Sequence, residues 1–494
     1  MQKILVANRG EIALRIMRSA REMGIKTVAV YSHADRDALH VRYADEAVNI
    51  GEAPSSQSYL VGEKIIAACK QTGAEGIHPG YGFLSENAVF ARLVRDSGLI
   101  LIGPSPEAME VMGNKLSAKA AALKYNIPMV PGTEEAITDV NEAKKRAIEV
   151  GFPILIKAAA GGGGKGMRIV ENAADFEEQM QLAVSEATSA FGDGSVFIER
   201  YVSSPKHIEI QILGDMHGNI VHLFERDCSV QRRHQKVIEE APSAILTPGI
   251  REKMGRCAVD VARSVNYTGA GTVEFIMDEG LNFYFLEMNT RLQVEHPVTE
   301  LITGIDLVKE QIKIARGEAI SFKQEDLEIH GHAVELRVYA EDPANNFLPD
   351  IGILQTYITP KGPGVRVDDG FEQGMEIPIY YDPMIAKLIT YADTRAEAIA
   401  RMIRAIDEYQ ITGITTTLGF GRFVMQHEAF TSGNFDTHFV KKYFTPEVLQ
   451  ESCGDEAKVA AIVMEQLLSK KKVSIAAPAE ADNSSNWIKN RKQI

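Results

Sequence analysis

Leu286-Glu-Met-Asn-Thr-Arg-Leu-Gln-Val-Glu-His-Pro297 alternates polar and apolar residues for most of its length. Read as a β-strand, it sends successive side chains to opposite faces, so Glu287, Asn289, Arg291, Gln293 and Glu295 share one face. Upstream, Gly269-Ala-Gly-Thr-Val-Glu-Phe-Ile-Met277 reads as a second strand, and Asp278 to Asn282 as the hairpin turn between the two. The hairpin brings Glu274 near Glu287. An ordinary edge strand with a solvated polar face is the alternative. Against it stands the repulsion between two acids on paired strands. A divalent cation relieves that repulsion. Mg²⁺ takes a few carboxylate or amide oxygens and completes its octahedron with water and phosphate, which suits Glu274, Glu287 and Asn289.

A source for the phosphate is suggested by Gly151-Phe-Pro-Ile-Leu-Ile-Lys-Ala-Ala-Ala-Gly-Gly-Gly-Gly-Lys-Gly-Met-Arg-Ile-Val170. A strand ending at Lys157 runs into Gly161, Gly162, Gly163, Gly164, Lys165 and Gly166, and then straight into another apolar stretch. Gly161, Gly163 and Gly166 satisfy G-x-G-x-x-G, but a dinucleotide fingerprint needs a helix next, and Met167-Arg-Ile-Val reads as a strand. A Walker loop fails because Lys165 is followed by glycine. A glycine hairpin remains, whose backbone N–H groups can close over a nucleotide triphosphate.

Composition frames these sites. The chain has 494 residues, 45% of them hydrophobic, enough for several cores, and three subdomains are expected. A net charge of −14 argues against nucleic acid as a partner. The run Lys470-Lys-Lys472 reads as a solvated helix end. Cys69, Cys228, Cys257 and Cys453 show no C-x-x-C spacing, so neither a disulfide framework nor a zinc site is expected, and a reducing cytoplasm fits them. The apolar run at the N-terminus is too short for a signal peptide, and no eighteen apolar residues run unbroken, so no membrane association is expected.

The first hundred residues read as a doubly wound α/β unit: strand Lys3 to Ala7, helix Glu11 to Met23, strand Thr27 to Tyr31, helix Tyr59 to Thr72. His78-Pro-Gly-Tyr-Gly-Phe-Leu-Ser-Glu-Asn87 then forms a loop at a strand end, where open α/β sheets bind ligands. Asp35 has the position of a nucleotide-ribose partner but no glycine fingerprint before it. From about Gly331, strands at Val334 to Tyr339, Ile353 to Ile358, Val365 to Val367 and Ile385 to Tyr391, with a helix from Thr394 to Tyr409, imply a mixed α+β domain. Within it, Arg337 reads on its own as a surface or paired arginine. Past Phe444 the chain is tail-like, with a helix at Glu456 to Leu468 and a single tryptophan, Trp487, in polar surroundings. That tail reads equally well as disordered and as an anchor into another chain of an assembly.

Taken together, Ala7-Asn-Arg-Gly-Glu-Ile-Ala13, the His78 to Asn87 loop, the glycine hairpin, Arg226-Asp-Cys-Ser-Val-Gln-Arg-Arg-His-Gln-Lys236 and Glu287-Met-Asn-Thr-Arg-Leu-Gln-Val-Glu-His-Pro-Val-Thr-Glu300 closely resemble biotin carboxylase, in the family's order, from the first residues to about Val440. The resemblance implies an α/β (α+β) fold. An ATP-grasp core, 114–330, with a lid at about 131–203, is flanked by an N-terminal doubly wound parallel-sheet domain, 1–113, and a C-terminal mixed α+β domain, 331–444. Residues 445–494 are left as a tail.

The implied reaction is ATP-dependent carboxylation of biotin by bicarbonate through carboxyphosphate, with Mg²⁺ or Mn²⁺. By the same resemblance, ATP falls to Lys115, Lys157, the glycines 161–164 and 166, Glu199, Val202, His207, Glu209, Gln231, His234, Glu274 and Glu287. The metal falls to Glu274, Glu287 and Asn289, bicarbonate to Lys236, Arg291, Gln293, Val294 and Glu295, and biotin to Arg337. Glu295, Arg291, Lys236 and Arg337 are then the catalytic set, with Glu295 as general base. No Ala-Met-Lys-Met sequence occurs, so the biotin is expected on a separate biotin carboxyl carrier protein. A carboxyltransferase chain is the further partner implied, and a homodimer the usual assembly. Another ATP-grasp ligase, or a nucleotide-binding scaffold without turnover, are the competing readings. The acceptor of the carboxyl group is not encoded in these motifs.

Overall fold

The computed structural model describes residues 1–133, 135–159, 167–449 and 455–469. Gly161 to Gly164, Lys165, Gly166, Cys453, Lys470 to Lys472 and Trp487 lie outside the described residues. Two units make up the chain, Met1–Pro446 and Glu447–Ile494.

The first unit begins with a five-stranded sheet of β1 (Lys3–Val6), β2 (Lys26–Ser32), β3 (Glu46–Gly51), β4 (Gly76–His78) and β5 (Ile100–Leu101), in the order β3-β2-β1-β4-β5. Every pairing is parallel. Ile4, Leu5 and Val6 are fully buried, as a strand covered by helices on both faces requires. The order reverses between β1 and β4, which opens a crevice at their C-terminal ends. Asn8 leaves β1 there and donates from Nδ2 to the carbonyls of Pro79 and Tyr81, both at 2.7 Å. Gly80 is required at this crossing, because its φ is +64° and a Cβ would stand 3.0 Å from Asn8 Nδ2.

A small antiparallel sheet follows, ordered β7-β6-β8, from β6 (Ile154–Ala158), β7 (Met167–Val170) and β8 (Val196–Arg200). Helices Val140–Val150 and Phe176–Phe191 supply Ala143, Phe176 and Met180 to a core shared with Ile154, Ile156 and Ile198. The remaining large sheet has eight antiparallel strands. It runs from β13 (Phe283–Asn289) and β12 (Gly269–Met277) through β9 (Lys206–Gly214), β10 (Ile220–Arg232) and β11 (Gln235–Ala241) to β14 (His332–Tyr339). Strands Met384–Ala392 and Val365–Asp369 complete it. The β11–β14 pairing sets Ile238 opposite Leu336 and Glu239 opposite Glu335, so strands before and after residue 330 share one sheet. Helix Arg395–Glu408 packs against its far end, led by the capping box of Thr394 and Glu397.

Three expectations change. The strand carrying Glu287 stops at Asn289 instead of continuing to Glu295, because the Thr290 N–H donates to Glu86 Oε1 at 3.0 Å and Pro297 then enters the first turn of helix His296–Thr303. The helix expected from Tyr59 begins at Gly62, since Tyr59 is turned inward to donate from its hydroxyl to Asp35 Oδ2 at 2.6 Å. Asp35 is engaged by that contact and by Arg9. The Ile353 to Ile358 stretch pairs as a strand only from Thr356, with Ile353 making a lone bridge to Glu376.

The second unit contributes helix Asp455–Ser469, close to the expected span, with Val459, Ile462, Val463 and Met464 exposed. Among the described residues, no helix is long and apolar enough to cross a membrane.

Candidate active site

Three neighbouring strands set three glutamates in a row. Register places Glu274 of β12 opposite Glu287 of β13 on one side and opposite Glu209 of β9 on the other. A β-bulge at Leu286 interrupts the alternation, so Leu286 and Glu287 both face outward. Such a row is unstable without cations. Lys236 of β11 supplies one: its Nζ donates to Glu209, to Glu274 Oε1 at 2.8 Å and to Glu295 Oε1 at 2.7 Å. Arg226 of β10, wholly buried, supplies another through Nε to Glu209 at 2.5 Å. Its remaining nitrogens donate to Gln211, Thr299, Thr272 and Gln293. His207 completes the set, with Nε2 at 2.9 Å from Glu274 Oε2 and Nδ1 at 3.0 Å from Gln231 Nε2.

The charges settle accordingly. Burial opposes the ionisation of Glu274, but Lys236 and then His207 outweigh it and hold that carboxyl well below the ordinary carboxylate value. Burial likewise disfavours charge on Lys236, yet Glu209, Glu274 and Glu295 keep it protonated well beyond the usual lysine range. Glu287 differs. The residue is exposed as a whole and its carboxyl meets no hydrogen-bond donor among the described residues, and crowding of that carboxyl by the surrounding protein, then the charge of Glu274, raises its pKa. A carboxylate repelled by its neighbour and short of a cation fits a divalent ion, and the hard oxygens of Glu274, Glu287 and Asn289 are the donors Mg²⁺ takes.

The segment beyond β13 wraps the same group. Arg291 donates from Nε to Glu86 at 2.8 Å and from Nη2 to Asn289 Oδ1 at 3.0 Å. Gln293 donates to Glu274 at 2.9 Å. Glu295, at the N-cap of helix His296–Thr303, does not cap it with its side chain. Its carboxylate instead takes Lys236 on Oε1 and Arg337 Nη2 on Oε2 at 2.9 Å. Burial again opposes the charge, and Lys236, Arg337 and Arg226 win, so Glu295 lies well below the usual range. Arg337 also donates from Nε to Glu239 at 2.7 Å. Burial first, against the pull of Arg337, pushes Glu239 up to about 7.

A second group sits on the small sheet. Glu199 of β8 is gripped by Lys157 of β6 and by Lys119 at 2.6 Å, and the two lysines overcome burial to keep its carboxyl low. Val202, nearly buried, follows that strand. Lys115 opens helix Lys115–Leu123, though its side chain lies outside the described residues. His234 is exposed at the tip of the β10–β11 hairpin, where Arg233 and His234 take φ of 49° and 65°, outside the buried group. Sequence reasoning missed Glu86, Lys119 and Glu239. Lys119 could have been found four residues after Lys115 on one helix face. Glu239 could not: β11 carries an extra residue opposite Val230 and Gln231, which brings Lys236 and Glu239 to one side against the period of two.

Arranged this way, the residues can hold an anion between Lys236 and Arg291, beside a carboxylate base and a metal-ready pair of acids, while the small sheet carries a separate lysine–glutamate group. Three family models match the chain. Residues 1–109 match the biotin carboxylase N-terminal domain, 114–323 the carbamoyl-phosphate synthase L chain ATP binding domain, and 335–442 the biotin carboxylase C-terminal domain. A pyruvate carboxylase subunit from Methanothermobacter thermautotrophicus is 50% identical over 478 residues, covering 96% of this chain and 97% of that one. Biotin carboxylase 1 of Bacillus subtilis is 52% identical over 444 residues, covering 90% of this chain and 99% of that one. Among solved structures, the biotin carboxylase–β,γ–ATP complex from Campylobacter jejuni superposes with a TM-score of 0.85 at 47% identity, over 90% of this chain and 99% of that one. The Hydrogenobacter thermophilus 2-oxoglutarate carboxylase biotin carboxylase domain dimer, in complex with MgADP, ADP and bicarbonate, gives the same TM-score and identity over 91% of this chain and 99% of that one.

Proposed function

This chain belongs to the biotin carboxylase family, the ATP-dependent ligase subunits of biotin-dependent carboxylases, and on that premise we propose how its own residues divide the reaction. Bicarbonate enters between Lys236 and Arg291, with Gln293 and Val294 closing the pocket. Its negative charge draws Lys236 partly away from Glu295, which raises the basicity of that carboxylate and lets it take the bicarbonate proton. The deprotonated oxygen attacks the γ-phosphorus of ATP, giving carboxyphosphate and ADP. Lys115, Lys157, Glu199, Val202, His207, Glu209, Gln231 and His234, with the glycines of 161–166, orient the nucleotide. Glu274, Glu287 and Asn289 would hold Mg²⁺ or Mn²⁺, which supplies charge neutralisation on the phosphates.

Carboxyphosphate breaks down to CO₂ and phosphate, the phosphate accepts the proton from the biotin ureido nitrogen, and that nitrogen takes up CO₂. Arg337 stabilises the ureido oxygen as negative charge gathers on it. The observation that carries this reading is the buried chain Lys236–Glu295–Arg337, which sets base, bicarbonate cation and biotin cation within direct contact.

The biotin resides on a separate carrier chain, and a carboxyltransferase subunit takes the carboxyl onward. The extent of the match to the archaeal pyruvate carboxylase chain, which reaches beyond that to the Bacillus protein, supports a small 2-oxo acid as acceptor and a tail, 445–494, that docks onto a partner. The division into 1–113, 114–330 with its lid, and 331–444, a homodimeric assembly and a cytoplasmic setting belong to the same proposal.

The test is ADP release from Mg-ATP and bicarbonate, with and without free biotin, using Glu295→Ala as control. Biotin should raise bicarbonate-dependent turnover in the wild type and not in the variant. ATP hydrolysis indifferent to biotin would turn the assignment toward another ATP-grasp ligase.

A further inference from the structure

Lys387 is wholly buried on strand Met384–Ala392, directly across from Arg337 of β14. Its Nζ donates to the backbone carbonyl of Val294 at 2.9 Å. Two acids keep it there: Glu11 Oε2, from the first helix at 3.3 Å, and Asp368 Oδ2, from the neighbouring strand at 3.7 Å. Burying an ammonium is expensive, and a backbone carbonyl needs no cation to be satisfied. A fold that assembles a lysine and two acids from two paired strands and the first helix around one peptide is fixing that peptide's orientation.

The peptide is the one between Val294 and Glu295. The preceding carbonyl, Gln293 O, faces His296 Nδ1 at 2.8 Å. With both carbonyls held, two successive peptide planes are set, and with them the Cα of Glu295 and the direction of its side chain. Helix capping cannot do this, because the Glu295 carboxylate is turned toward Lys236 and Arg337. Glu11, in the Ala7 to Ala13 motif, thereby gains a task that nucleotide and biotin binding leave open.

We propose that Lys387 is a positioning residue for the bicarbonate step, anchoring the Val294–Glu295 peptide so that the base meets its anion in the right geometry, with Glu11 and Asp368 holding the lysine. This rests on the reading of residues 291–295 as the bicarbonate pocket. Touching neither nucleotide nor metal donors, Lys387 should act on bicarbonate alone.

The experiment measures KM for bicarbonate and for ATP, by ADP release with free biotin, in wild type, Lys387→Met and Lys387→Arg. Lys387→Met is expected to raise the bicarbonate KM about ten-fold or to lower kcat by as much, with the ATP KM within about two-fold. Lys387→Arg keeps the charge that the buried acids need, so it tests the idea even if the methionine variant does not fold. It should show the same split, reduced to about three-fold. A folded variant with wild-type bicarbonate KM and kcat overturns the proposal, as does an equal rise in both KM values, which would mark a general structural role. Wild-type turnover that ignores bicarbonate would instead remove the pocket reading on which the proposal stands.

Discussion

Glu287 and Glu274 face each other with only one cation-rich side between them, and that asymmetry makes Glu287 the more informative residue to change. Glu287→Gln removes a charge that its neighbour repels, so thermal stability should hold or rise by about 1 kcal/mol, while the Mg²⁺ concentration for half-maximal ADP release should climb about ten-fold or more. Lower stability with unchanged Mg²⁺ dependence would show Glu287 to be structural. Arg226 is the opposite case. Arg226→Met strands Glu209 without its partner and should cost about 3–5 kcal/mol in urea denaturation, and a loss below about 1 kcal/mol would show that Lys236 alone compensates the acid. At this scale the sequence was legible in the nearness of Glu274 and Glu287, which the hairpin around Asp278 dictates, while their direct pairing depends on the bulge at Leu286. It was illegible at Glu239, where a bulge breaks parity, and at Glu86, whose task depends on where a distant loop turns.

Whole elements were readable where local chemistry dictates them: the aliphatic β1 and β4, the hairpin around Asp278, the capped helix Arg395–Glu408. The continuation of β13 to Glu295 was not, because a carboxylate 204 residues away captures the Thr290 N–H. One element also carries a pH signature. His222 of β10 packs over helix Pro248–Arg263, where a Cβ on Gly255 would stand 2.4 Å from its Nε2. Burial lowers its pKa to about 4 from the ordinary 6.5, against a weaker opposing pull from Glu252. Between those values the unfolded chain binds the extra proton, so stability is full above pH 6.5 and falls as pH drops toward 4. From pH 7 to 5 this single group should cost on the order of 1–2 kcal/mol. His222→Leu should therefore show a shallower fall of Tm with acidification than the wild type. Parallel pH curves for the two proteins would refute the assignment.

At the scale of the molecule, composition and motif order conveyed the class of fold, but not that strands on both sides of residue 330 join one sheet, since register between distant segments leaves no local trace. The tail is a separate matter. Truncation after residue 444 should leave free-biotin turnover within about two-fold while abolishing co-purification with the carrier or carboxyltransferase chain, and an intact complex after truncation would dismiss the docking role. The joined sheet has one more consequence. A chain opened near Gly331 would give a first piece with β11 as a bare edge and a second piece beginning with β14, the strand that fits it. Ile238 opposite Leu336 and Glu240 opposite Val334 specify how the halves rejoin. Each half brings part of the buried chain of charges, Lys236 with Glu295 in one and Arg337 in the other, so biotin-stimulated turnover would report their reunion. The enzyme is in that sense a split reporter, with complementation written into its strand pairing.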